Sequence, residues 1–314
     1  MTRPSIIFDT DPGQDDAVAI LALLGASDRV DLLALTTVAG NVGLELTSRN
    51  ARIVCEWARR PDVPVYAGCA QPLLRPLVTA EQVHGKTGLD GAPIHEPDMP
   101  LQGKHAVDYI VDSLREAAAG TITLCPVGPL TNIALALRKA PDIAARIKEI
   151  VLMGGAYFVG GNVSPAAEFN IFVDPEAAAV VLGSGVPLVM LPLDVTHQAC
   201  SSASRIARLH ALPNRCGPLA ADILTSYERH DVQRFGMHGA PLHDPCVVAY
   251  LLQPTLFKGR RVNVEVETAS PLTRGATVVD WWNVSGRPAN ALYITEANAD
   301  GVFTLLTDCL ARLP

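Results

Sequence analysis

Residues 5–25 admit few folds. Ser5-Ile6-Ile7-Phe8 is a short, β-branched apolar run, the pattern of a buried strand. Asp9-Thr10-Asp11-Pro12-Gly13-Gln14-Asp15-Asp16 follows at once, and its Pro12-Gly13 pair imposes a turn. Ala17 to Leu24 then continues as an apolar stretch of helical character. Strand, tight turn and helix in that order form the first part of a βαβ unit, and hence of a parallel sheet. The four carboxylates of the turn crowd the C-terminal tip of the strand and the start of the helix, where open α/β sheets bind their ligands.

Charges packed this tightly repel one another, and a cation relieves the repulsion. An all-oxygen set favours Ca²⁺ or Mg²⁺ over zinc. Acids at a helix start also cap it and favour its dipole. Capping accounts for one or two of the four, such as Asp15 and Asp16, but not for all. An EF-hand loop fails, because counting from Asp9 its sixth position is Gln14 and its twelfth Ile20, where Gly and Glu are needed.

The same alternation continues along the chain. Strands are predicted at 5–8, 31–38, 63–66, 121–126, 149–153 and 187–191, and helices at 15–25, 46–58, 104–118, 131–139, 175–183 and 202–211. After about residue 215 the pattern turns more helical, with a helix from Asp244 to Leu251. Strands at 262–267, 276–280 and 291–294 and a helix at 297–312 close the chain. This pattern predicts an α/β fold with a mostly parallel, Rossmann-like open sheet and helices on both faces. Right-handed crossovers place every strand C-terminus on one rim, and with it the active site. Without a repeat or a low-complexity linker, residues 1–314 are expected to form one domain.

Composition removes several classes of partner. A formal charge of −7 disfavours a nucleic-acid polymer, which needs a basic patch. No apolar run reaches membrane-spanning length. Cys55, Cys69, Cys125, Cys200, Cys216, Cys246 and Cys309 are scattered and odd in number, without a CxxC pair. They read as reduced thiols. Met1-Thr2-Arg3-Pro4 leads directly into the first strand, so a cytoplasmic location is expected.

Polar groups recur at the predicted strand ends. They include Asn41 after Gly40, Asn132 after Gly128-Pro129-Leu130-Thr131, and Met153-Gly154-Gly155 opening a loop to Asn162. Glu168-Phe169-Asn170, Asp174-Pro175, Asp194 with His197, and His243-Asp244-Pro245 follow. Singly, each has a plain structural account: Asn41 as a turn residue, Asn132 as a cap, Asp174 and Asp244 as caps with proline at N1. Together they put amides and acids at several rim positions without Lys or Arg. That set suits a polyhydroxyl ligand with a cation and not a phosphate, which wants a P-loop or basic groups.

Asp9-Thr10-Asp11-Pro12-Gly13-Gln14-Asp15-Asp16-Ala17 resembles the N-terminal signature of the inosine-uridine-preferring nucleoside hydrolases. The resemblance extends through Thr37-Val38-Ala39-Gly40-Asn41, Val83-His84-Gly85, Gly128-Pro129-Leu130-Thr131-Asn132, Val151-Leu152-Met153-Gly154-Gly155, Ala167-Glu168-Phe169-Asn170 and His243-Asp244-Pro245. It implies hydrolysis of the N-glycosidic bond of ribonucleosides to ribose and free base, in nucleoside salvage, with one Ca²⁺ and a homodimeric or homotetrameric assembly. It further implies that Asp11, Asp16, Asp244 and the Val127 carbonyl hold Ca²⁺, although many relatives have Thr at the last position. Asp15, Asn41 and Asp244 would grip the 2′- and 3′-hydroxyls. Asn162, Glu168 and Asn170 would surround the 5′-hydroxyl, Met153 would pack beneath the sugar, and His84 and His243 would face the base.

The chemistry agrees with these residues. The ribose gains positive charge in an oxocarbenium-like transition state. Asp11 is suited to act as general base on the attacking water, and His243 as acid for the departing base. Base preference is expected to depend on the loop 78–95 with His84 and on the polar segment from Tyr227 to His238. Two other readings compete. A Mg²⁺-dependent phosphotransferase of the haloacid dehalogenase type also opens with a strand ending in Asp-x-Asp, but it needs a Lys and a Thr or Ser at later strand tips. A non-catalytic nucleoside or ribose sensor on the same fold is expected to lose Asp11 or His243, and both are present.

Overall fold

The computed structural model describes residues 3–235 and 239–314, and for residues 228–235 the backbone alone. The strands are β1 (Ser5–Thr10), β2 (Asp31–Thr37), β3 (Val65–Ala67), β4 (Leu101–Gln102), β5 (Ile122–Pro126), β6 (Ile147–Met153), β7 (Leu188–Leu191), β8 (Cys200–Ser201), β9 (Ala240–Pro241), β10 (Phe257–Val266), β11 (Thr277–Asp280) and β12 (Ala291–Ala297). The helices are α1 (Gln14–Gly25), α2 (Leu44–Trp57), α3 (Glu81–His84), α4 (Ala106–Glu116), α5 (Thr131–Lys139), α6 (Phe169–Val173), α7 (Pro175–Leu182), α8 (Leu193–Thr196), α9 (Ala203–His210), α10 (Cys216–Phe235), α11 (Asp244–Leu252) and α12 (Ala299–Leu310).

Ten strands form one sheet in the order β11-β10-β12-β7-β6-β5-β1-β2-β3-β4. Every pairing from β12 to β4 is parallel. β10 alone runs antiparallel to its neighbours β12 and β11. β8 and β9 make a separate two-stranded pair.

The strand order explains the position of the site. From β1 the chain moves outward through β2, β3 and β4, then returns to lay β5 on the other side of β1 and continues through β6 and β7. The order therefore reverses between β1 and β5, and the crevice beyond their C-terminal ends is where an open α/β sheet receives a ligand. Asp11 follows β1 and Val127 follows β5, so both stand at this point.

The two faces of β1 are buried separately, because alternate side chains point to opposite sides. Ile6 and Phe8 join the apolar cluster of α1, α2, α10, α11 and α12, whereas Ile7 joins that of α4, α5 and α7. α4 shows the amphipathic spacing that such covering requires, burying Ala106, Val107, Ile110, Val111 and Leu114 on one side. α1 differs: every residue from Gln14 to Gly25 is buried, since α2, α10, α11 and α12 surround it. A helix so enclosed holds Asp15 and Asp16 on a rigid support. None of the helices among the described residues is long and apolar enough to cross a membrane.

The predicted helices and major strands are present, with ends displaced by a few residues. The largest displacement is β10, which begins at Phe257 rather than 262. The two-residue strands β4, β8 and β9 and the short helices α3, α6 and α8 are additional. Segments this short carry no readable period.

Candidate active site

Asp16 is the most heavily bonded acid of the turn. Its Oδ1 accepts from the Thr10 hydroxyl at 2.5 Å and the Asp11 amide at 3.2 Å. Its Oδ2 accepts from the Gly13 amide and from Asn41 Nδ2, both at 3.0 Å. The Gly13 contact closes the first turn of α1, so the helix-capping account holds for this residue. It is incomplete, because one carboxylate oxygen from each of Asp15, Asp16 and Asp244 lies within 4.8 Å of the others. Asp244 is the first residue of α11, with Pro245 behind it.

Asp11 sits in a tight cradle. Its Oδ2 accepts from the Asn41 amide at 2.7 Å, and its main-chain carbonyl accepts from Asn41 Nδ2 at 3.1 Å. A Cβ on Gly40 would lie 2.1 Å from Asp11 Oδ2, and one on Gly128 2.3 Å from Oδ1, so only glycine lets the carboxylate fit between these loops. Burial and the charge of Asp16 push the Asp11 carboxyl well above its ordinary range. Burial and the charges of Asp15, Asp16 and Asp11 do the same to Asp244. Asp9, the remaining acid of the turn, is used structurally: its Oδ1 accepts from Thr36 at 2.6 Å and Asn132 at 2.8 Å, tying β1 to β2 and α5. Asn132 is thus a bridge and not the cap its position suggested, whereas Asp174 does cap α7 through the Ala177 amide at 3.0 Å.

The donor set fits a hard metal ion. Its ligands are oxygens, its acids are buried, and their repulsion raises their proton affinity. No Lys or Arg stands among the described residues lining the adjoining pocket.

That pocket has a volume of about 230 Å³. Asp15, Asn41, Asp244, Met153, Glu168 and Asn170 are among the residues that line it. Glu168 caps α6, accepting from the amides of Asn170 at 2.9 Å, Gly155 at 3.0 Å and Ile171 at 3.2 Å. Burial pushes its carboxyl up to about 7 against those three bonds. Asn170 Nδ2 donates to the Val127 carbonyl at 2.6 Å, and Asn162 Oδ1 accepts from the Phe169 amide at 3.0 Å. Asp194 anchors the loop that carries Asn162, accepting from the amides of Tyr157, Phe158 and Val159 and from the Tyr293 hydroxyl.

Two histidines also line the pocket. His84, at the end of α3, is buried, and its Nδ1 accepts from the Gln14 amide at 3.2 Å. Its ring stacks on Tyr227 with centroids 5.5 Å apart. His243 Nδ1 and the Thr196 hydroxyl are 2.8 Å apart and share a hydrogen bond. The His197 ring stands 5.8 Å from that of His243. Burial, then the neighbouring His197 and His84, hold His243 well below the ordinary histidine range.

Residues 6–304 match the family described as inosine-uridine preferring nucleoside hydrolase. The chain belongs to that family. As a nucleoside hydrolase it is 52% identical over 309 residues to an uncharacterised protein of Schizosaccharomyces pombe, covering 98% of this chain and 99% of the relative. It is 46% identical over 312 residues to the pyrimidine-specific ribonucleoside hydrolase RihA of Shewanella sp. strain MR-7, covering 99% and 97%. Among solved structures, a plant nucleoside hydrolase superposes with a TM-score of 0.93 at 30% identity, over 99% of both chains. The purine-preferring ribonucleoside hydrolase from Gardnerella vaginalis gives 0.91 at 31% identity, over 98% of both.

This nucleoside hydrolase brings the sequence-predicted residues to one rim. Asp15, Asn41, His84, Val127, Met153, Asn162, Glu168, Asn170, His243 and Asp244 all line the pocket. Asp11 and Asp16 lie directly beneath, bonded through Asn41. Asp15 shares the acidic cluster with Asp16 and Asp244, while Asp11 is directed between Gly40 and Gly128. Gln82, Phe169 and Thr196 were not singled out in the sequence, yet the first two line the pocket and the third holds His243. A signal for Thr196 was its place between Asp194 and His197 at the end of a strand. From the predicted segment Tyr227 to His238, Tyr227 alone has a described side chain, residues 228–235 are described in backbone only, and residues 236–238 lie outside the described residues.

Proposed function

We propose that this enzyme is a Ca²⁺-dependent hydrolase of pyrimidine ribonucleosides, releasing ribose and free base. One observation carries the reading: a buried cluster of acids and a pair of histidines line the same pocket of about 230 Å³. A ribose on the acids puts its base against the histidines. The pyrimidine preference rests on the 46% identity to RihA, against 31% to the purine-preferring enzyme.

The metal would be held by Asp16 and Asp244, with Asp11, Asp15 and the Val127 carbonyl as the further oxygens at hand. When bound, Ca²⁺ takes up to eight oxygens, so it can hold a diol together with its protein ligands, and it favours ionisation of a nearby water. Asn41, Asp15 and Asp244 bind the 2′- and 3′-hydroxyls. Glu168, Asn170 and Asn162 bind the 5′ end, and Met153 supports the sugar from below. Asp11 takes the proton of the attacking water as its oxygen bonds to C1′. The C1′–N bond breaks, its electron pair passes to the base, and His243 delivers the proton that neutralises it.

We further read residues 1–314 as one domain that assembles into a homodimer or homotetramer in the cytoplasm. Cys55, Cys69, Cys125, Cys216, Cys246 and Cys309 are free thiols, in accord with a reducing compartment. Release of ribose from uridine, cytidine, inosine and adenosine by protein of known calcium content tests the main reading. Uridine and cytidine are expected to be cleaved fastest, with about one calcium per chain. Inosine or adenosine cleaved faster than both would overturn the pyrimidine preference.

A further inference from the structure

The two histidines of the pocket differ in what holds their Nδ1. At His84 the partner is the main-chain amide of Gln14, which can only donate. His84 Nδ1 is therefore fixed as an acceptor. A proton placed there would turn two donors against each other and leave the buried Gln14 amide unpaired.

At His243 the partner is the Thr196 hydroxyl, 2.8 Å away. A hydroxyl donates or accepts by rotating its hydrogen. In either role the bond fixes the orientation of the ring. Thr196 is itself firmly placed. It ends α8, it is fully buried, and its amide donates to the Pro192 carbonyl at 3.1 Å. His243 is the hydrogen-bond partner of its hydroxyl among the described residues. With Nδ1 engaged there, Nε2 is the nitrogen left for a ligand, and His243 lines the pocket.

We propose that Thr196 is a positioning residue for the hydrolysis: its hydroxyl, 2.8 Å from His243 Nδ1 and carried on a buried, hydrogen-bonded backbone, holds the ring with Nε2 toward the leaving base. The proposal rests on the reading of His243 as the acid. In the step, the imidazolium Nε2–H proton passes to the base as the base takes the electron pair of the broken C1′–N bond. His243 remains neutral with hydrogen on Nδ1, accepted by Thr196 Oγ1.

Thr196→Val removes the hydroxyl at nearly constant shape, and Thr196→Ser keeps it. Both are assayed on uridine and on p-nitrophenyl riboside, whose leaving group departs without a proton. Misplacing a catalytic group typically costs up to roughly 10²-fold, so Thr196→Val should lower kcat on uridine by about 10- to 100-fold, with KM little changed. The same variant should cleave p-nitrophenyl riboside at near the wild-type rate, which also establishes that it folds. Thr196→Ser should recover most of the uridine activity. Wild-type kcat on uridine in Thr196→Val, or equal losses on both substrates, overturns the proposal. His243→Ala, run alongside, separates the two ideas. If it loses uridine cleavage selectively while Thr196→Val does not, the positioning role fails and the acid role stands. If it loses both substrates equally, the acid role itself fails.

Discussion

Asp244, at the start of α11, brings a carboxylate oxygen within 4.8 Å of one from Asp16, in the first turn of α1. The two are remote in sequence and both are buried. Such a pair holds a proton or a cation between its members, and the two compete.

Chelation is therefore expected to lower the melting temperature, and to do so more at pH 8 than at pH 5.5. A ligand at a hundred times its Kd adds about 2.7 kcal/mol to the native state, which corresponds to several degrees in a protein of this size. At the lower pH, protons on the raised carboxyls of Asp244 and Asp11 take over part of the charge relief. Differential scanning fluorimetry with and without EDTA checks this. A shift that is absent, or the same at both pH values, would remove the cation from the acidic cluster.

The strand–turn–helix unit and most of the alternating elements were legible because each carries its own period or turn chemistry. Asp9, Asp11, Asp15 and Asp16 could be placed at a strand tip for that reason, but not told apart. Which of them caps, which bridges and which joins a cluster depends on partners that arrive from elsewhere: Thr36 and Asn132 for Asp9, Asn41 for Asp11 and Asp16, and Asp244 for Asp15. Thr196 was hidden for the same reason, since its meaning lies in a contact with His243 that no local pattern encodes.

Glu168 gives a pH-dependent contribution of predictable sign. Its carboxyl is held at about 7 in the folded protein against an ordinary value of 4.5, chiefly by burial. The folded state thus binds the proton more tightly than the unfolded chain. The stability it lends is full below about pH 4.5 and is lost as pH rises toward 7, a change on the order of 3 kcal/mol. Glu168→Gln removes this titration. The fall in stability between pH 5 and pH 8, measured by urea unfolding, should be smaller in the variant than in the wild type. An unchanged fall would mean that the wild-type carboxylate is already ionised at pH 5.

Discrimination against 2′-deoxynucleosides should be strong. Asn41 already donates to both Asp11 and Asp16, so a ribose 2′-hydroxyl would enter a preformed network of buried acids. A site built for a hydroxyl typically rejects the analogue that lacks it by roughly 10⁴-fold or more, because its polar groups are left unpaired. Steady-state kinetics on uridine and 2′-deoxyuridine provide the comparison. Values of kcat/KM within tenfold of each other would contradict a diol site at Asp15, Asn41 and Asp244.

Asp11→Asn and His243→Ala should fail in different ways. Asp11 is cradled by Gly40 and Gly128 so closely that Asn, of nearly the same shape, is the replacement that fits. It removes the base, and each loss of a general acid or base typically costs roughly 10²- to 10⁴-fold in kcat. Water must be activated whatever the leaving group, so Asp11→Asn should lose activity on uridine and p-nitrophenyl riboside alike. His243→Ala should lose it on uridine and spare the nitrophenyl substrate, because p-nitrophenoxide leaves as a stable anion. A measurement of kcat for both variants on both substrates gives the four values needed. Near-normal turnover of Asp11→Asn at wild-type metal content would move the base to another acid of the cluster, with Asp15 and Asp244 the members that line the pocket.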